Sequence, residues 1–553
     1  MTLATTDVLI IGSGAGGAPL ALRLSQVGFN VTVLEKGPRY ERSDYQHDEM
    51  LRANDLGFFV PPPSEEPHVL VNHAAAEPEL TTLGWIACCV GGGTAHMGGS
   101  MYRFHPDDFR LLGRLGPFES ISDWPYTYAD LEPYYSQAEW EIGVSGEGAA
   151  NPFEGLRSRP YPMPPLKCHP LARHLDQACT RLGVRAFPTP RAINSRRYGG
   201  RPKCAACDFC AGYGCPIGAR GSTQEALLPR AEATGKCKIS TRAMVHTITV
   251  DRSGRVTGCR YLDQSGAQHE VRAKVVCVCC SAIESARLLL LSQSAVFPDG
   301  LANGSGLVGQ NLQFHTVSTG RGRFRFDRHP RKGLQVANPF LGRSVMDYYF
   351  LPGGVSSLPK GGLLRFDLSR TTPIAMAQRV ASQDPTGPMW GDRLKKCLWE
   401  HFREYREVEF EVFQDFVPNE RTFVELDPCI RDKWGLAVAR IHLGQVDHHK
   451  LAGQWLVGRG LDLLAAVGAD ELLTETVGKT TGLMTHGTCR AGENPTQAVL
   501  NGFCQAHEVP NLFVVDGSFM PTSGGAPSTL TIIANSFRTA DYIRDRARTG
   551  EFG

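Results

Sequence analysis

The sequence predicts an α/β protein with a doubly wound parallel sheet, and three apolar runs carry this prediction. The run Val8–Ile11 leads into a glycine-rich turn, a helical pattern and a second run, Val31–Leu34, which ends at Glu35. A third run, Leu512–Val515, lies near the other end of the chain and is followed by Asp516. Short apolar runs of this kind are typical of buried parallel strands. We therefore expect one nucleotide-binding domain that draws strands from both ends of the chain.

The length and composition limit the number of domains and the classes of function. A chain of 553 residues exceeds the roughly 250–300 residues at which a single core stops growing, so we expect two domains. The formal net charge of +2 and the lack of a basic run argue against nucleic acid as a partner. The richest apolar run, 275–296, contains Glu284 and Arg287, so no membrane span is expected. The first residues carry no export signal, which predicts a cytoplasmic location unless a partner subunit carries the chain out.

The glycine-rich turn after the first strand has the pattern G-x-G-x-x-G, formed by Gly12, Gly14 and Gly17. In this fingerprint the first glycine makes a tight turn, the second lets the backbone approach a pyrophosphate, and the third lets the helix pack on the strand. The helix N-terminus favours the phosphate charge. Glu35 is placed to accept hydrogen bonds from the adenosine ribose. The fingerprint predicts a dinucleotide site but does not separate FAD from NAD.

A second candidate cofactor segment lies far from the first in the sequence. Asp516 ends the third apolar run, and Gly517 and Ser518 follow it with backbone N–H groups that can face a phosphate or the ribityl chain. FAD needs a second contact segment of this kind, whereas NAD usually does not. The sequence therefore favours FAD.

Several segments resemble the glucose–methanol–choline (GMC) oxidoreductases, a family that uses FAD, and they extend through nearly the whole chain. The resemblance implies that Thr529 also contacts the cofactor and that the backbone of Val245 contacts the adenine. It implies a second, substrate-binding domain, built on a mixed or antiparallel sheet that covers the flavin. The similar segments are 89–94, 121–135, 281–285, 307–315 and 511–531. The implied FAD domain comprises 1–45, 80–150, 236–320 and 480–553, and the implied substrate domain comprises 150–235 and 320–480.

The same resemblance implies an activity and a substrate class. GMC oxidoreductases oxidise an alcohol by hydride transfer to flavin N5 while a protein base takes the hydroxyl proton. The chain is most similar to bacterial sugar dehydrogenase subunits, through 162–165, 194–198 and 215–219. A sugar or similar polyol is therefore the expected substrate, with an aminocyclitol or aminoglycoside as a further option. The electron acceptor stays open between oxygen, a quinone, a cytochrome and a carrier.

His96 is the candidate residue beside the flavin ring. In pyranose oxidases, which are relatives of this family, a histidine at the matching place is covalently attached to the ring. The resemblance implies that His96 contacts the flavin, either through a bond to the 8-methyl carbon or as a non-covalent neighbour.

Four cysteines have the spacing C-x2-C-x2-C-x4-C-P, namely Cys204, Cys207, Cys210 and Cys215. Closely spaced thiolates suit an iron–sulfur cluster, although this run is one residue longer than the bacterial ferredoxin pattern. Some sugar dehydrogenases of the family hold a cluster in this region, so the resemblance implies an iron–sulfur site. A structural turn, a disulfide and a zinc site are the alternatives.

The catalytic positions depart from the family pattern. Met484 stands where the family has its histidine, and Pro527 stands where it has an asparagine. His486 is the nearest candidate base, with an ordinary imidazole pKa near 6.5 that suits the role, and Ser528 is the nearest polar partner. Asp415 is the next candidate base. The missing pair favours an alternative function, a non-catalytic or differently acting flavin electron-transfer subunit.

Overall fold

The computed structural model describes residues 4–49, 59–72, 77–85, 87–369, 372–382 and 387–552. In these residues the strands form three sheets, and strands and helices are numbered here in chain order. No helix in the same residues is long and apolar enough to cross a membrane.

The first sheet has seven strands and draws them from both ends of the chain, as expected. Its strands are β1 (Ala4–Ile11), β2 (Val31–Leu34), β6 (Cys237–Ser240), β7 (Met244–Val250), β8 (Val256–Leu262), β9 (Gln268–Val278) and β17 (Leu512–Val514). The order is β6-β2-β1-β9-β8-β7, and β17 also pairs with β9. The pairs β6–β2, β2–β1, β1–β9 and β9–β17 are parallel, whereas β8 is antiparallel to both β7 and β9. The two predicted cofactor segments therefore follow strands β1 and β17, which both pair with β9 in one sheet.

The second sheet has six strands, and its pairs are all antiparallel. Its strands are β5 (Ala186–Pro188), β10 (Gln313–Arg325), β11 (Arg343–Val345), β12 (Gly362–Leu368), β13 (Tyr405–Asp415) and β16 (Glu471–His486). They run in the order β16-β10-β13-β12-β11-β5. The register places Gln313 opposite His486 and His315 opposite Asp415. The predicted combination of a doubly wound sheet with a second, antiparallel sheet is confirmed.

A third, smaller sheet joins residues that are also far apart in sequence. It contains β3 (His68–Asn72), β4 (Glu79–Thr81), β14 (Phe423–Arg431) and β15 (Ala437–Leu443) in the order β14-β15-β3-β4. The β15–β3 pair is parallel, and the other pairs are antiparallel.

Because β10 and β16 run across residues 320 and 480, two of the predicted domain boundaries fall within strands, and the domain division stays a prediction.

The helices cover the sheets and bury their apolar faces in two main cores. The described helices of at least four residues are α1 (Gly17–Gln26), α2 (Leu111–Leu115), α3 (Tyr128–Ile142), α4 (Leu171–Arg181), α5 (Thr223–Ala226), α6 (Leu228–Glu232), α7 (Ala282–Leu291), α8 (Pro373–Ala381), α9 (Gly391–Arg403), α10 (Asp447–Val467) and α11 (Thr529–Arg548). The first core joins the first sheet with α1, α7 and α11, and the second joins the second sheet with α4 and α10. Arg23 of α1 pairs with Asp541 of α11 at 2.7 Å, which ties the first and last helices together.

Candidate flavin and catalytic site

A cavity of about 550 Å³ is lined by residues of both large sheets. The first sheet contributes the glycine-rich turn and the end of β2, and the C-terminal segment contributes residues 516–517 and 527–529. The second sheet contributes side chains from β10, β12, β13 and β16. A pocket of this size, bounded by two distant cofactor segments, is a suitable place for an extended dinucleotide and a small substrate.

The three glycines of the fingerprint serve different purposes. Gly12 has φ +98°, and a Cβ there would lie 2.3 Å from the carbonyl oxygen of Cys279. A Cβ on Gly17 would lie 2.0 Å from the oxygen of Gly12, so both positions are closed by the chain itself. A Cβ on Gly14 would meet nothing closer than the Cα of Gly92 at 3.7 Å, and Gly14 lines the cavity. The protein itself therefore leaves room for a Cβ at Gly14, and a glycine there fits the close approach of a pyrophosphate.

Glu35 and Val245 line the same cavity. The Glu35 carboxylate accepts hydrogen bonds from the Ser13 backbone N–H at 3.1 Å, the Ser13 hydroxyl at 2.6 Å and the Gly37 N–H at 2.9 Å. Burial raises the pKa of the Glu35 carboxyl. Glu35 therefore holds the glycine-rich turn in place, an interaction that the sequence did not predict, and its contact with the ribose stays a prediction.

The C-terminal cofactor segment is anchored by Asp516. Its carboxylate accepts hydrogen bonds from the Ser281 N–H at 3.0 Å and the Ser285 hydroxyl at 2.5 Å, at the start of α7. Gly517 lines the cavity, as does Thr529, the first residue of α11. A helix N-terminus at this place offers N–H groups and a favourable dipole to a phosphate. The segment is thus fixed by the protein, and the Ser518 N–H, which was predicted to face a phosphate, instead donates to the Asp516 carboxylate at 2.8 Å.

His96 also lines the cavity, at the end of a short turn, Gly92–Ala95. Its ring stacks on the ring of Phe59, with the centroids 4.6 Å apart. Its position beside the cavity agrees with flavin contact, and the covalent bond stays a prediction.

The structure does not assemble the predicted iron–sulfur site. Across the described part of the chain, no group of three His, Cys, Asp or Glu side chains is placed to hold a metal ion. Cys204, Cys207, Cys210 and Cys215 are also free of disulfides. Burial raises the pKa of the Cys210 thiol to about 12. The loop instead borders the cavity through residues 211–214, between the last two cysteines.

The two candidate catalytic residues meet in the cavity. His486, at the end of β16, and Ser528, just before α11, are joined by a hydrogen bond of 2.7 Å between Nε2 and Oγ. Met484 and Pro527, the residues that replace the family pair, line the same cavity. Burial lowers the pKa of His486 well below its usual value, so the ordinary pKa assumed from the sequence was wrong. The ring is therefore neutral at neutral pH, because burial disfavours the charged imidazolium.

Two charged residues of the second sheet were missed by the sequence reasoning. Arg365 of β12 and Glu411 of β13 line the cavity. An Arg365 N–H donates to the Glu411 carboxylate at 2.5 Å, and another donates to the Ser100 hydroxyl at 2.9 Å. A signal for Glu411 was present in the sequence, because charged and apolar residues alternate along 407–412. Side chains alternate between the two faces of a strand, so this pattern places Glu411 on the face opposite the apolar residues.

Comparison with known proteins agrees with this geometry. A model described as an FAD binding domain matches residues 7–43. The fold resembles that of pyridoxine 4-oxidase from Mesorbium loti, with a TM-score of 0.60 at 16% identity over 98% of this chain and 99% of that one. The nucleotide-binding sheet and its cavity thus define an FAD-binding protein.

The family follows from models and relatives that cover most of the chain. Two models described as GMC oxidoreductase match residues 85–317 and 418–536. The chain is 33% identical to 2-methyl-1,2-propanediol dehydrogenase of Mycolicibacterium austroafricanum, over 98% of this chain and 95% of that one. It is also 33% identical to 6'''-hydroxyparomomycin C oxidase of Streptomyces lividus, over 97% of this chain and 91% of that one. The chain belongs to the GMC oxidoreductase family, and the predicted enzyme class, an FAD enzyme that acts on CH–OH groups, is confirmed.

Proposed function

We propose that the protein oxidises an alcohol group of a small polyol or sugar-like substrate, including aminocyclitols and aminoglycosides, and that His486 takes the hydroxyl proton. The observation that carries this proposal is the 2.7 Å hydrogen bond between His486 and Ser528, in a cavity that both FAD segments line. When bound, FAD supplies the hydride acceptor. Nothing in the comparisons favours the alternative of a non-catalytic electron-transfer subunit.

The environment of His486 supports its role as the base. Burial keeps the imidazole neutral, so its lone pair is free to take a proton, although the same burial disfavours the imidazolium that results. The hydrogen bond with Ser528 fixes the orientation of the ring. Met484 and Pro527 add no titratable group to this end of the cavity. His486 and Ser528 would therefore replace the missing family pair.

The proposed substrate class has two supports. Arg365 and Glu411 offer hydrogen-bond partners on the second-sheet side of the cavity, which suits a molecule that carries several hydroxyl or amino groups. Of the two relatives, one is named for a diol and the other for hydroxyparomomycin C. A hydroxylated small molecule is common to both names.

The proposal is tested by a substrate panel under anaerobic conditions. The panel contains 2-methyl-1,2-propanediol, paromomycin, D-glucose, D-fructose and D-gluconate, and each is scored by bleaching of the oxidised flavin absorbance. We expect at least one member to bleach the flavin. If dithionite bleaches the flavin and no panel member does, the electron-transfer alternative replaces the proposal. Reoxidation of the bleached protein by oxygen, a quinone or cytochrome c then identifies the acceptor.

We further propose that His96 carries a covalent bond to the flavin, because it lines the cavity and matches the linked histidine of pyranose oxidases. The wild-type protein is then expected to give a fluorescent band on a denaturing gel, and His96→Ala is expected to abolish that band. Release of all flavin from the wild-type protein by acid precipitation would contradict the bond and leave His96 as a non-covalent neighbour.

The domain division given above, a cytoplasmic location and an association with a partner subunit also stay proposals. Limited proteolysis, cell fractionation and size-exclusion chromatography of the native complex test them in turn.

A further inference from the structure

A buried cluster of charged side chains has no role in the reaction proposed above. The Lys360 ammonium lies 2.8 Å from one oxygen of Asp108 and 3.6 Å from Oδ2 of Asp415. The Tyr349 hydroxyl donates to Asp108 at 2.6 Å, and the Ser523 hydroxyl donates to Oδ1 of Asp415 at 2.6 Å. Asp108 is 0% exposed, Lys360 1% and Asp415 4%. Charged groups at such depth are costly unless their charges balance.

The charges in this cluster do not balance when both carboxyl groups are ionised. Two carboxylates face one ammonium, and within the described residues Lys360 is the one Lys or Arg within 4 Å of either carboxylate. Three neighbouring histidines add no positive charge at neutral pH, because burial lowers their pKa values. These histidines are His105, His315 and His448. The pKa values of His315 and His448 fall to about 4. The cluster is therefore one proton short of neutrality.

Asp415 is the member of the cluster that can take up this proton. Burial raises the pKa of the Asp415 carboxyl to about 6, against the opposing effect of Lys360. Its Oδ2 has no hydrogen-bond partner in the described residues, and the 3.6 Å contact with Lys360 is longer than a hydrogen bond. Asp415 is therefore ionised but readily protonated near neutral pH.

His315 lies between this cluster and the candidate base. It is directly opposite Asp415 in the β10–β13 pairing, and opposite residues of an antiparallel pair have their Cβ atoms about 4.5–5.5 Å apart on one face. The His315 ring stands at 89° to the His486 ring, with the centroids 5.2 Å apart. The three residues thus form a series from the cavity to the buried carboxylate.

Unsatisfied polar atoms accompany this series. His315 Nδ1 is 3.1 Å from the Gln414 carbonyl oxygen and so carries the hydrogen, which leaves Nε2 as an acceptor without a partner. Gln313 Oε1 and Thr316 Oγ are also buried without a partner in the described residues. Such groups are usually satisfied by internal water. Ordered water would satisfy His315 Nε2, Gln313 Oε1 and Asp415 Oδ2, whereas Thr316, next to His315 in β10, points to the other face of the sheet.

We propose that Asp415 is the terminal acceptor of the substrate's hydroxyl proton, which His486 passes on through ordered water positioned by His315. This inference rests on the proposed function. Bound FAD would accept the hydrogen of the alcohol C–H bond with its electron pair, and the O–H bond breaks as its proton binds His486. The imidazolium N–H bond then breaks as the Asp415 carboxylate gains an O–H bond. A buried charge on His486 is thereby removed, and the cluster becomes neutral.

The resting proton occupancy of Asp415 is tested in the FAD-loaded protein without any alcohol. Infrared difference spectra recorded between about pH 5 and pH 8 should show the C=O band of a protonated carboxylic acid that appears as the pH falls through about 6. Asp415→Asn should remove the band. Glu409→Gln, a matched change on the same strand, should retain it. A band that persists in Asp415→Asn, or its absence from the wild-type protein, would overturn the assignment.

Proton transfer is tested by stopped-flow flavin reduction with the panel alcohol that bleaches the flavin fastest. The wild-type rate should fall below about pH 6, where Asp415 is already protonated. Asp415→Asn should lose this pH dependence and reduce the rate at pH 8 by about 10–100-fold, less than the roughly 10²–10⁴-fold effect of removing a direct general base. A wild-type pH profile in Asp415→Asn would refute the relay and leave the role of His486 intact.

Ser523→Ala provides a graded variant that keeps both carboxylates. The Ser523 hydroxyl hydrogen-bonds to the charged form of Asp415 and lowers its pKa. Its removal should therefore shift the acid limb of the rate profile and the infrared titration to higher pH together. A purely structural role of Asp415 predicts no such joint shift, so an unmoved acid limb counts against the relay.

Failure of every panel alcohol would instead overturn the proposed function, and the infrared titration would still judge the proton occupancy of Asp415.

Discussion

Gly14→Val is expected to yield folded protein that has lost at least about tenfold in FAD affinity, the effect of a clash that costs about 1.4 kcal/mol. A Cβ at this position has room within the protein itself, since it would meet only the Cα of Gly92 at 3.7 Å. It would project into the cavity where the pyrophosphate is expected. The ratio of flavin absorbance to protein absorbance measures the loss, and thermal unfolding shows whether the fold is retained.

Substitutions at two other glycines show whether a loss of FAD comes from the binding site or from impaired folding. Gly17→Val should impair folding, because its Cβ would lie 2.0 Å from the Gly12 oxygen. Gly458→Ala, in the middle of α10 with no atom within 4 Å of the added Cβ, should change neither property. A Gly14→Val protein with a full complement of FAD would place the pyrophosphate elsewhere.

The nucleotide-binding half was predictable because its signals are local. Strands buried on both faces are continuous apolar runs, so the ends of β1, β2 and β17 could be predicted to within a few residues. The glycine pattern then identified the turn between the first strand and its helix. What the sequence did not reveal is that Glu35 binds the turn itself through Ser13, because that contact joins residues from two strand ends.

The catalytic half was less predictable because strand pairing assembles it. Asp108, Lys360 and Asp415 come from three distant segments, and no spacing in the sequence joins them. The cysteine run is the opposite case, a clear local pattern whose thiols the fold does not gather into a metal site. His486 was found from its distance to the family position, but its low pKa depends on burial that the sequence does not show.

His486→Ala is expected to slow flavin reduction by about 10²–10⁴-fold, the usual effect of removing a general base. The variant loses the only imidazole that contacts Ser528 in the described cavity, and Met484 cannot accept a proton in its place. The measurement is stopped-flow reduction by a panel alcohol, with equal FAD content confirmed beforehand. The loss should appear in the rate constant at saturating alcohol, since the base acts on the transition state.

Two matched variants show whether proton transfer is what His486 provides. His486→Gln keeps a side chain able to hydrogen-bond to Ser528 but not a base, so its rate should fall nearly as far as that of His486→Ala. Ser528→Ala keeps the base and loses one orienting hydrogen bond, worth about 0.5–1.5 kcal/mol or roughly tenfold at most. Added imidazole should partly restore the rate of flavin reduction in His486→Ala, because the cavity left by the ring can admit a free base.

A His486→Ala rate within a few-fold of wild type, with an unchanged pH profile, would remove His486 from the mechanism. Asp415 would then be the next candidate base, since burial raises the pKa of its carboxyl to about 6.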